Sequence, residues 1–334
     1  MNLQNITFGP LINDKSFTSY ITKFITLNYG SRDEKLTFPA PQPASIEKKD
    51  FTKLIQYKYF TGIKLDGVRF LMVFIKNKNG ENNCIIVNRA MKFYSITVNA
   101  DENIYNGTIL DGEIIKSGNG NDLGNGNYTF VIHDALILCG NKINKKTHSD
   151  RLCETKYCID SFVMSNVNNT LDIVIKDFYP FEEFEDFIEN VYNKSSNNDG
   201  IIFMPENLPV ISGTQYSMLK WKPKNKHTFD FMIKEVDLGL EANVFHMGNL
   251  KLFANIHKNT ENGKVFIENT QKLDSYKNEC IVECTFDKTT NNFTPILVRE
   301  DKTHPNGLRT IERTLFNITE NVEIKDFIEL LKKE

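Results

Sequence analysis

From Tyr57 to about Leu138 the chain is a succession of short runs of Ile, Val, Phe and Tyr cut by turn residues: "KYFTGIKL", "RFLMVFI", "NCIIVNRA", "GTILDGEIIK" and "YTFVIHDALIL". β-Branched and aromatic residues fit a pleated, half-buried surface, and runs this short read as strands. The Gly/Asn stretch "SGNGNDLGNGN" between the last two is expected to be a loop joining antiparallel strands. "DGIIFMPE" and "YSMLKWKPKNKHTFDFMI" return to strand character, and several short strands past Lys234 predict a small β-barrel.

Helical patterns are fewer. "SFTSYITKFITLNYG" reads as a helix ended by Gly30, and the three prolines of "FPAPQPAS" make an extended connector. Ser45 is placed to cap a short helix through "SIEKKDFTKL". "PFEEFEDFIENVYNK" has apolar residues at helical spacing and acids in its first turn, which predicts a surface helix. "ENVEIKDFIELLKKE" predicts a terminal amphipathic helix, and no internal repeat is visible.

A length of 334 residues suggests two domains. With 40% hydrophobic and 25% charged residues the chain can bury a core. A net charge of −3 excludes a uniformly basic nucleic-acid coat but permits a local basic groove. The six cysteines show no C-x-x-C or zinc-finger spacing and are expected to be reduced thiols. The first residues lack a signal-peptide pattern, and no apolar stretch approaches the roughly 20 residues of a membrane span. An intracellular soluble protein is expected.

"TGIKLDGVRF" breaks two apolar runs with Lys64, Asp66 and Arg69. Arg89, Asp111, Glu113, Asp199, Lys220 and Lys222 also end or flank apolar runs. Any one of them reads as a solvated strand end. Lys220 and Lys222, two apart on a strand, should share a face. Cations mixed with carboxylates on one sheet suit a polyphosphate and a divalent metal. P-loop, dinucleotide-fold and protein-kinase signatures are missing, so a nucleotide needs another scaffold here.

Seven motifs in order carry a resemblance: "KLDGVR", "NRAMKFY", "LDGE", "FVIHDA", "DGIIF", "LKWKP" and "REDKTHPN". The set resembles the covalent nucleotidyltransferases, which comprise mRNA capping guanylyltransferases and ATP- or NAD-dependent polynucleotide ligases. Asp rather than Glu in "DGIIF", the run "LKWKP…TFDF" and the run "VECTF…VREDKTHPN" favour the capping branch. The chain is similar, nearly end to end, to small stand-alone capping enzymes of large algal DNA viruses. The resemblance implies an α+β fold. A nucleotidyltransferase domain with ATP-grasp-like antiparallel sheets would span 1–229, and an OB-fold β-barrel would span 230–317. A C-terminal helix, 318–334, would pack back on the first domain.

The resemblance also implies a reaction. Lys64 attacks the α-phosphate of GTP, releases pyrophosphate, and passes GMP to a 5′-diphosphate RNA end. A free lysine is neutral in only roughly four molecules per ten thousand at pH 7. Lys220, Lys222 and a metal would disfavour its ammonium form and grip the α-phosphate. By the same resemblance Arg69 and Glu113 hold the ribose, Asp66 belongs to the nucleotide-binding set, and Arg89 contacts phosphate. Asp199 and Glu113 sit near Mg²⁺ or Mn²⁺. Arg299 and Lys302 reach the β- and γ-phosphates when the domains close, and Asp301 orients pyrophosphate. Lys176 reads guanine O6. His133 stands where the viral enzymes stack a Phe on the purine.

The implied partners are GTP and 5′-diphosphate RNA, handled by a monomer. Only about sixty residues precede Lys64, and the chain ends soon after the second domain. An RNA triphosphatase and a cap methyltransferase are therefore expected on other polypeptides, with action in a host cytoplasm or nucleus. Two alternatives stay open: a ligase that leaves AMP on Lys64, and a non-catalytic nucleotide- or RNA-end-binding module. The intact lysine and carboxylates speak against the second.

Overall fold

The computed structural model describes residues 8–30, 38–116, 128–164, 169–196, 198–236, 239–257, 279–287, 292–299 and 302–332. The chain divides into two compact units, Met1–Trp221 with Ile324–Glu334, and Lys222–Glu323.

In the first unit α1 (Lys15–Tyr29) begins where the Asp14 carboxylate accepts from the backbone N–H groups of Ser16 and Phe17. It ends at Gly30, whose φ of 67° a glycine adopts without strain. The proline-rich connector then forms β1 (Gln42–Ser45). Ser45 is held in this strand, opposite Lys220, and so is not a helix cap. Glu47 takes that role, exchanging hydrogen bonds with Asp50 just before α2 (Phe51–Gln56).

The strand-like runs become β2 (Tyr59–Lys64), β3 (Val68–Lys76), β4 (Asn82–Asn88), β5 (Phe93–Ile96), β6 (Thr108–Lys116), β7 (Tyr128–Leu138) and β8 (Asn141–Lys142). After α3 (His148–Phe162) come β9 (Asp172–Ile175), β10 (Tyr179–Pro180), α4 (Phe184–Phe187), β11 (Gly200–Pro205) and β12 (Thr214–Trp221). Two sheets result. One runs β5-β4-β3-β6-β7-β8 with β9 beside β7, and the other runs β1-β12-β11-β2-β10. β6 and β7 pair antiparallel as expected, and the Gly/Asn loop between them lies outside the described residues.

β3 shows why its run is apolar throughout. Phe70, Met72 and Phe74 enter one core, while Leu71, Val73 and Ile75 enter another that also holds Ile21 and Ile25 of α1. Both faces are covered, so Phe70 to Ile75 are all buried. β2 and β3 are consecutive in sequence yet lie in different sheets. The charged turn between them is the crossing from one sheet to the other.

The predicted surface helix is irregular. It passes from α4 into a wider π turn over Ile188–Tyr192, while Phe181, Phe184 and Phe187 bury together.

The second unit holds β13 (Thr228–Val236), β14 (Gly239–His246), β15 (Asn249–His257), β16 (Cys280–Asp287) and β17 (Asn292–Val298). They form one antiparallel sheet in the order β15-β14-β13-β16-β17, open among the described residues where a closed barrel was expected. α5 (Leu308–Glu320) lays Ile311 and Ile318 on a core of Phe229, Phe231, Val244 and Val282. Residues 318–320, read from sequence as part of the last helix, belong to α5, which ends at Asn321 in a left-handed conformation. Asparagine tolerates that geometry and stops the helix.

α6 (Ile324–Leu331) belongs to the first unit. Its fully buried Phe327 meets Phe203 at 5.0 Å and Phe51 at 5.2 Å between ring centroids. Among the described residues no helix is long and apolar enough to cross a membrane.

Candidate functional site

Strand register brings together two motifs that lie 135 residues apart. β2 ends at Lys64, and β11 begins directly opposite at Gly200. The Asp199 backbone N–H donates to the Lys64 carbonyl at 2.6 Å, and the Lys64 ammonium pairs with the Asp199 carboxylate. Both side chains are mostly buried. The turn that follows Lys64 admits only a small residue at Gly67. A β-carbon there would lie 2.4 Å from the Ile114 carbonyl oxygen. The Gly67 N–H donates to Glu113 Oε1 at 3.1 Å, so "KLDG" is packed directly onto "LDGE".

Arg69 and Glu113 are cross-strand partners on β3 and β6. The guanidinium reaches diagonally, however. Nε and Nη2 donate to the two Asp111 carboxylate oxygens at 2.9 and 2.5 Å, and Nη1 donates to the Pro41 carbonyl at 2.7 Å. This fork fixes both partners in orientation. His133 Nε2, on the edge of the ring whose face the sequence reading placed on a purine, lies 3.1 Å from Asp111 Oδ1. A β-bulge puts it there. Asp111 pairs with Asp134 and Gly112 with Ile132, which leaves His133 as the extra residue on β7.

Burial alone would raise the Asp111 carboxyl, but Arg69 and then His133 outweigh it and hold it well below the usual carboxylate range. The folded chain therefore binds this proton more weakly than the unfolded chain. The stability this contributes is complete above about pH 4, and it fades as pH falls below that toward the folded value. Asp111→Asn is expected to flatten the acid limb of stability, read as urea midpoints between about pH 5 and about pH 2. An unchanged acid slope in the variant would reject this role for Asp111.

Beneath His133 lies a second buried pair that sequence reading missed. Arg151 of α3 donates from Nε and Nη2 to the two Asp134 oxygens, each at 2.7 Å. Its Nη1 donates to the carbonyls of Lys146 and Leu208 at 2.6 and 3.0 Å. His148, also on α3, places Nε2 3.3 Å from the His133 carbonyl and packs edge-on to Phe178 at 4.7 Å. Burial pushes its imidazole below the ordinary value.

Lys176 follows β9, and its N–H donates to the Ile132 carbonyl at 2.8 Å. Its ammonium lies 4.9 Å from the Phe178 ring centre. Burial pushes this lysine down to about 8, opposed by Glu113 and reinforced by Lys64 and Arg69. Lys64, Arg69, Glu113 and Lys176 thus form one electrostatic neighbourhood.

Other expected residues lie further out. Asp66 and Arg89 are exposed, the latter just past β4. Lys220 sits on β12 opposite Ile202. β12 ends at Trp221, so Lys222 follows the strand directly, ahead of Pro223.

In the second unit Arg299 and Lys302 converge on Asp230. Arg299 Nη1 lies 3.1 Å from Asp230 Oδ1 and 3.2 Å from Glu283 Oε2, and Lys302 pairs with Asp230 Oδ2. The Asn306 side chain holds Asp230 at two points: its Nδ2 donates to Asp230 Oδ2 at 3.3 Å, and its Oδ1 accepts from the Asp230 backbone N–H at 3.0 Å. Asp301 lies outside the described residues.

Among the described residues no group of three or more His, Cys, Asp and Glu side chains is arranged to hold a metal. The two carboxylates Asp199 and Glu113 suit an ion held mainly by substrate phosphates and water, as Mg²⁺ usually is.

Residues 12–224 match the family model described as mRNA capping enzyme, catalytic domain, and residues 214–328 match mRNA capping enzyme, C-terminal domain. The chain is similar to mRNA-capping enzyme subunit alpha of Schizosaccharomyces pombe, with 27% identity across 87% of this chain and 79% of that protein. It is 25% identical to mRNA-capping enzyme of Danio rerio across 89% of this chain and 50% of that one. Among solved structures, mycobacterial DNA ligase D complexed with ATP and MES aligns with a TM-score of 0.42 and 11% identity, covering 81% of this chain and 97% of that chain.

Proposed function

Because this chain belongs to the mRNA capping enzyme family, we propose that it is a guanylyltransferase whose Lys64 carries GMP from GTP to a 5′-diphosphate RNA end. The observation that carries this reading is the pairing of Lys64 with Asp199 at the facing ends of β2 and β11.

In the first step Lys64 Nζ attacks the α-phosphorus. A P–N bond forms, the bond to the bridging oxygen breaks, and pyrophosphate leaves with the electron pair. In the second step the terminal phosphate oxygen of the RNA attacks the same phosphorus, the P–N bond breaks, and the lysine is restored. Asp199 keeps the amine at the strand end and receives one of its N–H bonds. Lys220 and Lys222 grip the α-phosphate, where cations stabilise charge that builds on the phosphoryl oxygens. Arg89 contacts phosphate. Glu113 and Asp66 serve nucleotide binding, with Glu113 also holding the Gly67 turn. Arg69 acts by locking Asp111, and through it His133, rather than by offering a loose guanidinium.

Asp199 and Glu113 would hold Mg²⁺ or Mn²⁺, which when bound neutralises phosphate charge. Arg299, Lys302 and Asp301 act on the leaving pyrophosphate, and Asp230 occupies the two cations until phosphate replaces it. The reaction takes its RNA from a triphosphatase step and hands its product to a cap methyltransferase.

Lys176 is assigned to guanine O6. A lysine pushed down to about 8 is charged below that pH and neutral above it. GTP affinity should therefore weaken between about pH 7 and about pH 9, and Lys176→Arg, charged throughout, should abolish the decline. Equal declines in both proteins, or none in the wild type, would remove Lys176 from base recognition.

The deciding assay is covalent labelling with α-labelled GTP or ATP and a divalent metal, followed by denaturation. Label from GTP alone, released by diphosphate-ended RNA, is expected. Label from ATP moves the chain to the ligases, and no label with either ends the enzymatic reading.

A further inference from the structure

The catalytic reading leaves one pair of nucleophilic side chains unused. Cys139 and Cys158 face each other with Sγ atoms 3.7 Å apart, in contact and unbonded. Cys139 follows β7 in the tight turn to β8 and is itself followed by Gly140. Its φ is 48°, in the left-handed region where a β-carbon is disfavoured and Asn, Asp or Gly usually sits. The Cys139 N–H donates to Thr108 Oγ1 at 2.9 Å, which holds the turn in place. Cys158 projects from the buried face of α3, together with Arg151 and Thr155. One thiol is partly open to solvent and the other is buried beside it.

We infer that Cys139 and Cys158 are an oxidisable dithiol, closed to a disulfide by a peroxide. The Cys139 sulfur gives two electrons to the peroxide O–O bond, which yields Cys139 sulfenic acid and an alcohol, or water when the oxidant is hydrogen peroxide. The Cys158 sulfur then attacks the Cys139 sulfur. The S–O bond breaks, and water leaves with the former hydroxyl and the Cys158 proton. A dithiol reductant reverses the bond.

The order of events follows from exposure. Cys139 is the more exposed of the two, whereas burial pushes Cys158 up to about 12, so Cys158 is not the thiol that a peroxide oxidises first. An S–S bond of about 2.05 Å requires the sulfurs to close by less than about 2 Å. The bond would tie α3, which carries Arg151 under the site, to the end of β7, which carries Asp134. Of the other thiols, Cys84 is buried in the sheet core, Cys153 is exposed on α3, and Cys280 and Cys284 lie on β16 of the second unit.

The test is peroxide treatment of the folded full-length chain, then alkylation of remaining thiols and non-reducing peptide mapping. The Cys139 and Cys158 peptides are expected to be joined, with a mass lower by two hydrogens, and to separate on reduction. In Cys158→Ser the Cys139 sulfenic acid should persist long enough for a dimedone-type reagent to trap it. Three results would overturn the inference: both thiols still alkylatable at a dose that oxidises Cys153, Cys139 passing to sulfinic acid without a link, or Cys139 joined to any other cysteine. The wild-type map decides even if a variant folds poorly.

Discussion

Lys64→Ala abolishes covalent labelling by GTP, a loss of roughly a thousandfold or more that reaches the detection floor, while the protein stays folded. Lys176, the other lysine of this neighbourhood, follows β9 rather than ending β2 and is not expected to replace Lys64. Lys64→Arg fails as well, because a guanidinium keeps its protons and cannot serve as a nucleophile. Asp199→Asn is milder. The Asp199 N–H still donates to the Lys64 carbonyl, so the β2–β11 register survives. What is lost is the carboxylate that holds Nζ, and labelling should fall by roughly a hundredfold. The double variant should be no worse than Lys64→Ala, since the two residues act as one unit. Full labelling of Lys64→Ala, mapped to another lysine, would displace the proposed nucleophile.

Arg151→Met destabilises the first unit by about 3–5 kcal/mol, the usual result of stripping one partner from a buried ion pair. Arg151 and Asp134 are only 1% and 3% exposed at the side chain. Methionine fills similar space but leaves the Asp134 carboxylate buried without its fork, and the Lys146 and Leu208 carbonyls without their donor. In a unit of this size the melting midpoint should drop by about 6–20 °C. Asp134→Leu combined with Arg151→Met removes the stranded charge and should recover most of the loss. Fluorescence reports this unit directly, because the chain's one tryptophan is Trp221 of β12. A single variant within about 1 kcal/mol of wild type would mean that Asp134 finds water or another donor.

Which of these residues could be read from sequence follows a physical division. The strands of the first unit were legible because burial on both faces demands unbroken apolar runs, as along β3. Lys64, Asp199, Glu113 and Lys220 were legible because each lies in a short motif beside such a run. Arg151 was not. The buried face of α3 is made of His148, Arg151, Thr155, Cys158 and Ile159, so the helix lacks the apolar stripe that would announce it. His133 was assigned from its motif, but two bulges reset the alternation of β7, and alternation is what spacing arguments rest on. Asp230 stood in "TFDF" with Lys226 and Lys234 four positions away on either side, and nothing local pointed to more distant partners. Arg299, Lys302 and Asn306 reach it from about seventy residues away.

The sequence by itself determined the strand-rich class and the ordered set of nucleotidyl-transfer motifs, which include the lysine proposed as nucleophile. These depend on residue type and on neighbours a few positions away. Only the tertiary structure decided which charges meet: Lys64 with Asp199, Arg69 with Asp111, Arg151 with Asp134, and Arg299 and Lys302 with Asp230. A Coulombic partner is chosen by distance in space, and that distance is set by strand register, bulges and the packing of α3, none of which is a local property of the chain.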